Sequence, residues 1–214
     1  MIRVTLDTPW MAADLPVPFR LLSFALWNPG FVTAKRVVWR EVRDADLTED
    51  LDALEWFAAQ MTARGEEEAI GLITSRDLGK YRLESAESGL SRATCLATVG
   101  LTNAERIGHR QMQAGAGFGT INLLAVTDTA LSNTALIELL SIAAEARTAA
   151  VMEHGPILPA GRATGTGTDC IVVGAPPGDK RFTGLHTDVG EALGAAVYRA
   201  VANGVEDWMA EQTP

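Results

Sequence analysis

Two short stretches concentrate the side chains whose types and spacing suit chemistry. In ATGTGTDCIVVG, residues 163 to 174, Thr164, Thr166 and Thr168 alternate with Gly165 and Gly167, and Asp169 stands at the mouth of an apolar run. In GLHTDVGE, residues 184 to 191, His186, Thr187, Asp188 and Glu191 follow one another closely. Thr187 fits the cap of a helix whose first turn holds Asp188, which sets His186 beside the free amides of residues 188 to 190. Glu191 falls just over one turn further on. A histidine, a carboxylate and unpaired N–H donors are the parts needed for general acid–base catalysis with oxyanion stabilisation. A local hydrogen bond at a helix start explains the same histidine without catalysis. The Thr/Gly loop offers close backbone approach at Gly165 and Gly167, with the hydroxyls of Thr166 and Thr168 next to the Asp169 carboxylate. A tight turn in which threonines cap their own backbone is the structural alternative.

Several other chemistries fit poorly. Phosphate cradles follow a strand and open a helix, whereas TGTGTD precedes a strand, and neither it nor GAGFGT (115 to 120) matches a nucleotide fingerprint. His186, Glu191 and Asp169 would make a facial N/O metal site, but no H-E-x-x-H or clustered His/Cys spacing supports a divalent metal, and no cofactor is indicated. Cys95 and Cys170 both lie in apolar runs and read as small hydrophobes. A net charge of −9 excludes a phosphate-neutralising face, so nucleic acid is not expected as a partner. No apolar run reaches the roughly 18 residues of a spanning helix, so no membrane role is expected. The amino terminus alternates like a strand and does not read as a signal peptide, so the expected location is the cytoplasm.

The elements that must position these residues alternate in type. Ile2, Val4 and Leu6 alternate, RLLSFALW is a continuous apolar run, and AKRVVWREV sets Val37 and Val38 between charges, giving three early strands with turns at LPVP and NPG. A first helix is expected over 46 to 64, with Asp46 and Glu49 at capping-box spacing and a stripe of Leu47, Leu51, Leu54, Phe57 and Met61. EAIGLITS, RATCLATVGL and GTINLLAVTDT then read as buried strands. Residues 132 to 153 form an Ala-rich second helix capped by Ser132, on which Glu138, Ser141, Glu145 and Thr148 make a polar stripe, most simply a solvated face. CIVV is a last strand, and a third helix runs from 187 to 209. Gly119-Thr120 before INLLAV echoes Gly167-Thr168 before DCIVV, which suggests two similar strand-entry loops at one end of a sheet. The fold class is therefore α/β, with α+β as the variant: a single domain over 1 to 214, a mixed β-sheet with packed helices. Four of the five tryptophans and four of the six phenylalanines fall within the first 57 residues, Trp10 and Trp27 among them. Core packing, a homodimer contact or a broad planar ligand would each use that concentration.

Read in order, GLITS (71 to 75), ATVGLTNAERIG (97 to 108), GTINLLAV (119 to 126), EARTAA (145 to 150), ATGTGTDCIVV (163 to 173) and GLHTDVGEALGAAVY (184 to 198) resemble the adenosylcobinamide amidohydrolase family. The resemblance implies hydrolysis of the amide joining aminopropanol to the corrin of adenosylcobinamide, releasing adenosylcobyric acid for cobamide salvage and remodelling. It makes the corrinoid the substrate and adds no cofactor. Leu185 stands where a lysine is common, Arg147 replaces the lysine of EAKT, and Pro29 interrupts an early NGG, departures that bear on corrin preference more than on the reaction. On this resemblance His186 is expected as general base and then acid with Asp169 orienting it, and either Asp169 or Glu191 is the alternative base. A threonine nucleophile is less expected because no basic residue neighbours one in sequence, although folding could bring one there. Thr166, Thr168, Thr187, Asn122, Asn103 and Glu145 are expected to contact substrate, with Asn122 or the amides near Thr187 at the oxyanion. A non-catalytic corrinoid-binding protein and an unrelated α/β amidase are the rival readings.

Overall fold

A computed structural model describes residues 2 to 43, 46, 52 to 109 and 119 to 212. The chain forms β1 (Arg3–Asp7), β2 (Trp10–Ser23), β3 (Gly30–Glu41), α1 (Ala53–Ala63), β4 (Ile70–Thr74), β5 (Arg82–Ser88), β6 (Ser91–Val99) and β7 (Ala104–Glu105). It continues with β8 (Ile121–Thr127), α2 (Asn133–His154), β9 (Ile157–Leu158), β10 (Gly161–Arg162), β11 (Gly165–Thr166), β12 (Cys170–Ala175) and α3 (Asp188–Glu211). The main sheet runs β4-β3-β2-β12-β8-β6-β5, with β1 paired to β2 as its eighth strand. β3–β4 and β8–β12 are parallel and the other pairs are antiparallel, so the sheet is mixed as expected, in a single α/β domain.

Two apolar layers hold this sheet. β12 reads as an unbroken hydrophobic run because both its faces are covered. Ile171 and Val173 face α2 and α3, whereas Cys170 and Val172 join Met11, Leu21, Leu72, Leu96 and Leu124 on the other side. That second cluster draws on strands from both halves of the sheet, so the β2-β3-β4 half curls over the β8-β12 half. The amide of Asn122 on β8 donates to the carbonyl of Ile73 on β4 at 2.6 Å, tying the curl together. On the helical side, Val189, Leu193, Val197, Val201 and Val205 of α3 are completely buried at helical spacing. Each contributes roughly 1.5–3 kcal/mol of burial. Gly204 lets the helix touch β6, since a Cβ there would lie 2.6 Å from Val99 Cγ2. A smaller cluster packs Phe57 and Met61 of α1 on Trp10, Ala12 and Val38.

The second and third helices follow the sequence reading, capped by Ser132 and Thr187. The first does not start at Asp46. Its cap is Asp52, whose Oδ1 accepts from Leu54 N at 2.9 Å and Glu55 N at 3.1 Å, while Asp46 accepts from Arg43 N at 2.9 Å. Leu47 and Leu51 of the expected stripe, and Glu49 of the expected capping box, lie outside the described residues. LPVP is not a turn between strands either. It sits inside β2, where the register to β3 shifts between Asp14 and Phe19. Pro16 and Pro18 cannot donate to a ladder, and they fall where β2 passes from pairing β1 to pairing β12. Among the described residues no helix is long and apolar enough to cross a membrane.

Candidate active site

The loop 163 to 169 is organised by Asp169, which is nearly buried. Its Oδ1 accepts from Ile121 N at 3.0 Å and from the Thr166 hydroxyl, and its Oδ2 accepts from Thr166 N at 3.0 Å and from Arg147 Nη1. The Asp169 and Arg147 side chains are 8% and 17% exposed, so the pair is largely removed from water. One carboxylate thereby joins the start of β8, its own loop and α2. Gly165 is required beneath it, because a Cβ there would collide with both Arg147 Nη1 and Asp169 Oδ2. With both oxygens engaged, Asp169 acts as a clamp.

Beside the clamp opens a cavity of about 350 Å³ with two unlike walls. Phe24, Leu26, Val42 and Leu72 form the apolar one, and Phe24 and Leu26 remain 54% and 50% exposed at its mouth. Thr120, Asn122 and Thr168 supply the polar floor. Cys170 and Asn122 are partners across the parallel β12–β8 ladder, and two residues earlier the same register sets Thr168 opposite Thr120. The Thr120 hydroxyl donates to the Thr168 carbonyl at 2.7 Å and lies 3.3 Å from Asn122 Oδ1. The Thr168 hydroxyl donates to the Gly119 carbonyl at 3.1 Å, with the Asn103 amide 3.5 Å from it. Of the expected site, Thr168 and Asn122 line this cavity, Asn103 stands behind Thr168, and Thr166 faces the neighbouring cleft that Arg147 and Thr164 line. The paired Gly-Thr echo was the sequence signal for Thr120. Nothing in one sequence marked Phe24, Leu26 or Arg147 as its companions.

Cys170 also borders the cavity, but burial foremost, and then the Asp169 charge, push its thiol up to about 12. It is no thiolate nucleophile near neutrality.

His186, Thr187 and Glu191 lie at the other end of the sheet. The Thr187 hydroxyl accepts from Gly190 N at 3.0 Å and donates to the Gly184 carbonyl at 2.8 Å, so Thr187 is the helix cap anticipated. Glu191 Oε2 accepts from the Ser88 hydroxyl at 2.8 Å, which places it at the β5–β6 turn. His186 is exposed. Asp169 precedes β12 and the α3 start follows it, so Cys170–Ala175 separates them by about 17 Å at 3.3 Å per residue. The expected His186–Asp169 pair is not formed, and the facial metal triad with Glu191 is not assembled. Among the described residues no three His, Cys, Asp or Glu side chains cluster. Glu145 is exposed on α2 away from the cavity lining, two residues before Arg147. Glu138 on the same stripe is not merely solvated, since its Oε2 accepts from Thr183 N at 2.6 Å and fixes the connector leading to α3. Trp10 is buried under α1, with the guanidinium groups of Arg40 and Arg64 over its ring at 5.6 and 5.0 Å, and neither it nor Trp27 lines the cavity.

Among curated proteins, the chain is 39% identical over 85 residues to an adenosylcobinamide amidohydrolase of Halobacterium salinarum. It is 38% identical over 87 residues to an uncharacterized protein of Methanocaldococcus jannaschii. Each alignment covers 39% of this chain and 34% of the relative, so about a third of each relative's length is spanned. Among solved structures, the L-aminopeptidase D-Ala-esterase/amidase of Ochrobactrum anthropi, described as a variant of the Ntn hydrolase fold, is similar over 95% of this chain and 82% of that one. Identity there is 12% and the TM-score 0.40, too loose a superposition to carry a conclusion. The family model for adenosylcobinamide amidohydrolase matches residues 2 to 213, and with nearly every residue inside that match the chain belongs to this family.

Proposed function

We propose that the chain hydrolyses the amide bond of adenosylcobinamide to adenosylcobyric acid and aminopropanol, as a step in corrinoid salvage and remodelling. The observation that carries this reading is the two-walled cavity at the sheet end. A corrin presents a broad apolar face with amide-bearing arms at its rim, and the cavity pairs an apolar wall with a floor of hydroxyls and carboxamides. At about 350 Å³ it admits an arm and one edge of the ring, leaving the remainder against exposed Phe24 and Leu26. In this arrangement Thr120, Thr168, Asn122 and Asn103 meet the amide, and Asp169 holds their loops in place. His186 and Glu191 are too distant from the clamp to share a proton with it. The test is incubation with adenosylcobinamide followed by mass spectrometry for adenosylcobyric acid. Corrinoid bound but unchanged supports the binding-protein reading, and no corrinoid bound refutes both.

A further inference from the structure

We infer that the protein cleaves its own Gly119–Thr120 peptide bond, making Thr120 the amino-terminal residue of a second chain and the nucleophile of the active site. The catalytic half of this inference rests on the amide hydrolysis proposed above; the cleavage itself does not.

Amide hydrolysis needs a nucleophile and a base to take its proton. No histidine or lysine is among the described residues lining the cavity. Both Asp169 oxygens are occupied by an arginine, two backbone amides and a hydroxyl. The Cys170 thiol is held protonated. Two buried hydroxyls line the cavity, Thr74 at 1% and Thr120 at 6% exposed; that of Thr74 accepts from Arg76 N, and Thr120 alone of the two lies on the Gly119–Thr168 floor. A free α-amino group on Thr120 itself, titrating near pH 8, would be the base the site is otherwise missing.

The surroundings of the bond suit its cleavage. A threonine hydroxyl lies by covalent geometry close to the carbonyl carbon of the preceding residue. Here that carbonyl already accepts the Thr168 hydroxyl at 3.1 Å, a donor placed where an oxyanion would develop. Residue 119 must be glycine, since a Cβ would lie 2.7 Å from Thr102 N and 3.0 Å from both Asn103 Oδ1 and the Gly100 carbonyl. In the first step Thr120 Oγ1 bonds to the Gly119 carbonyl carbon, the C–N bond breaks, and the hydroxyl proton passes to the departing nitrogen. One water then hydrolyses the resulting ester, its OH completing the Gly119 carboxyl group and its hydrogen returning to Oγ1. The new amino terminus stays in place. The Thr120 carbonyl accepts from Gly100 N at 3.0 Å, and Ile121 N donates to Asp169. The two pieces cannot drift apart either, because β8 and β12 of the second are flanked in the sheet by β6 and β2 of the first.

The experiment compares native and denaturing mass spectrometry of the purified full-length protein, with amino-terminal sequencing of each fragment. The expected result is a native mass one water above that of the uncut chain, which resolves on denaturation into residues 1 to 119 and 120 to 214. Thr120→Ser should cut at the same bond, and Thr120→Ala should give one uncut chain. A single uncut wild-type chain, active or not, overturns the inference, as does cleavage at any other bond. Turnover of adenosylcobinamide by such an uncut chain would leave the proposed function standing. A chain cut at Gly119–Thr120 that turns over no corrinoid would uphold the cleavage and refute the function.

Discussion

Replacing Asp169 by asparagine separates the clamp from the proton path that its sequence position suggested. The amide keeps one acceptor oxygen for Ile121 N and the Thr166 hydroxyl, but its NH₂ faces Thr166 N and the Arg147 guanidinium, which are donors themselves. Truncating one partner of a buried ion pair costs about 3–5 kcal/mol, and the modest exposure of Arg147 lowers the expectation to about 3 kcal/mol. For a chain of this length 1 kcal/mol shifts the melting temperature by about 2–4 °C, so Asp169→Asn should melt some 6–12 °C lower. His186→Ala removes an exposed side chain and should stay within about 0.5 kcal/mol of the parent, with turnover preserved. Adding Arg147→Met to Asp169→Asn removes the stranded guanidinium and should restore a good part of the loss, since paired apolar or neutral groups are cheaper than one orphaned charge. Scanning calorimetry of the four proteins, with initial rates on adenosylcobinamide, makes the comparison. An Asp169→Asn protein that melts like the parent refutes the clamp. A His186→Ala protein that melts normally yet loses turnover 10²–10⁴-fold restores His186 as the acid–base residue.

Other expectations are read by simpler measurements. Phe24→Ala combined with Leu26→Ala should weaken adenosylcobinamide binding about 10–100-fold in a fluorescence titration, through lost apolar contact at the cavity mouth, and unchanged affinity would detach that wall from the ligand. Gly204→Ala should cost about 1–3 kcal/mol in urea denaturation by forcing α3 off Val99, and a neutral result would mean the helix shifts freely. Glu211 is lowered to about 2, chiefly by its hydrogen bonds from Arg76. A depressed carboxylate stabilises fully above its unfolded value near 4.5 and loses that contribution as the pH falls towards 2. Glu211→Gln should therefore melt below the parent at pH 6 and converge with it near pH 2, by about 1 kcal/mol once solvent screening is allowed for; a pH-independent gap would remove the ion pair as its cause.

Much of the fold was legible because burial leaves a periodic trace. CIVV and INLLAV are apolar on both faces and are the two central strands, while Ser132 and Thr187 mark helix starts by the hydroxyl their amides need. β5 was silent because it is an edge strand that sets Arg82 and Glu84 against Asp207 and Asn203 of α3 and leaves Leu83 40% exposed, so no apolar alternation marks it. Within the site, the Gly-Thr echo marked two loops that parallel pairing sets side by side. The association of His186 with Asp169 failed for a reason also present in the sequence: one precedes a strand and the other follows it, and a strand carries its two ends apart. Arg147 reaches Asp169 only because α2 packs along β12, a tertiary relation that helical spacing alone does not convey.

The place of β12 also governs how the molecule is born. The strand at the middle of the sheet is the last one to leave the ribosome, following the five neighbours on its two flanks that span residues 10 to 99 and β8 at 121 to 127. Until residues 170 to 175 emerge, Arg20–Ser23 of β2 and Asn122–Val126 of β8 present bare backbone donors and acceptors to solvent or to other nascent chains. Joining them requires contacts between residues some 150 positions apart, which makes the closing step slow and leaves an interval in which the open edges of the two half-sheets are exposed to pairing with strangers.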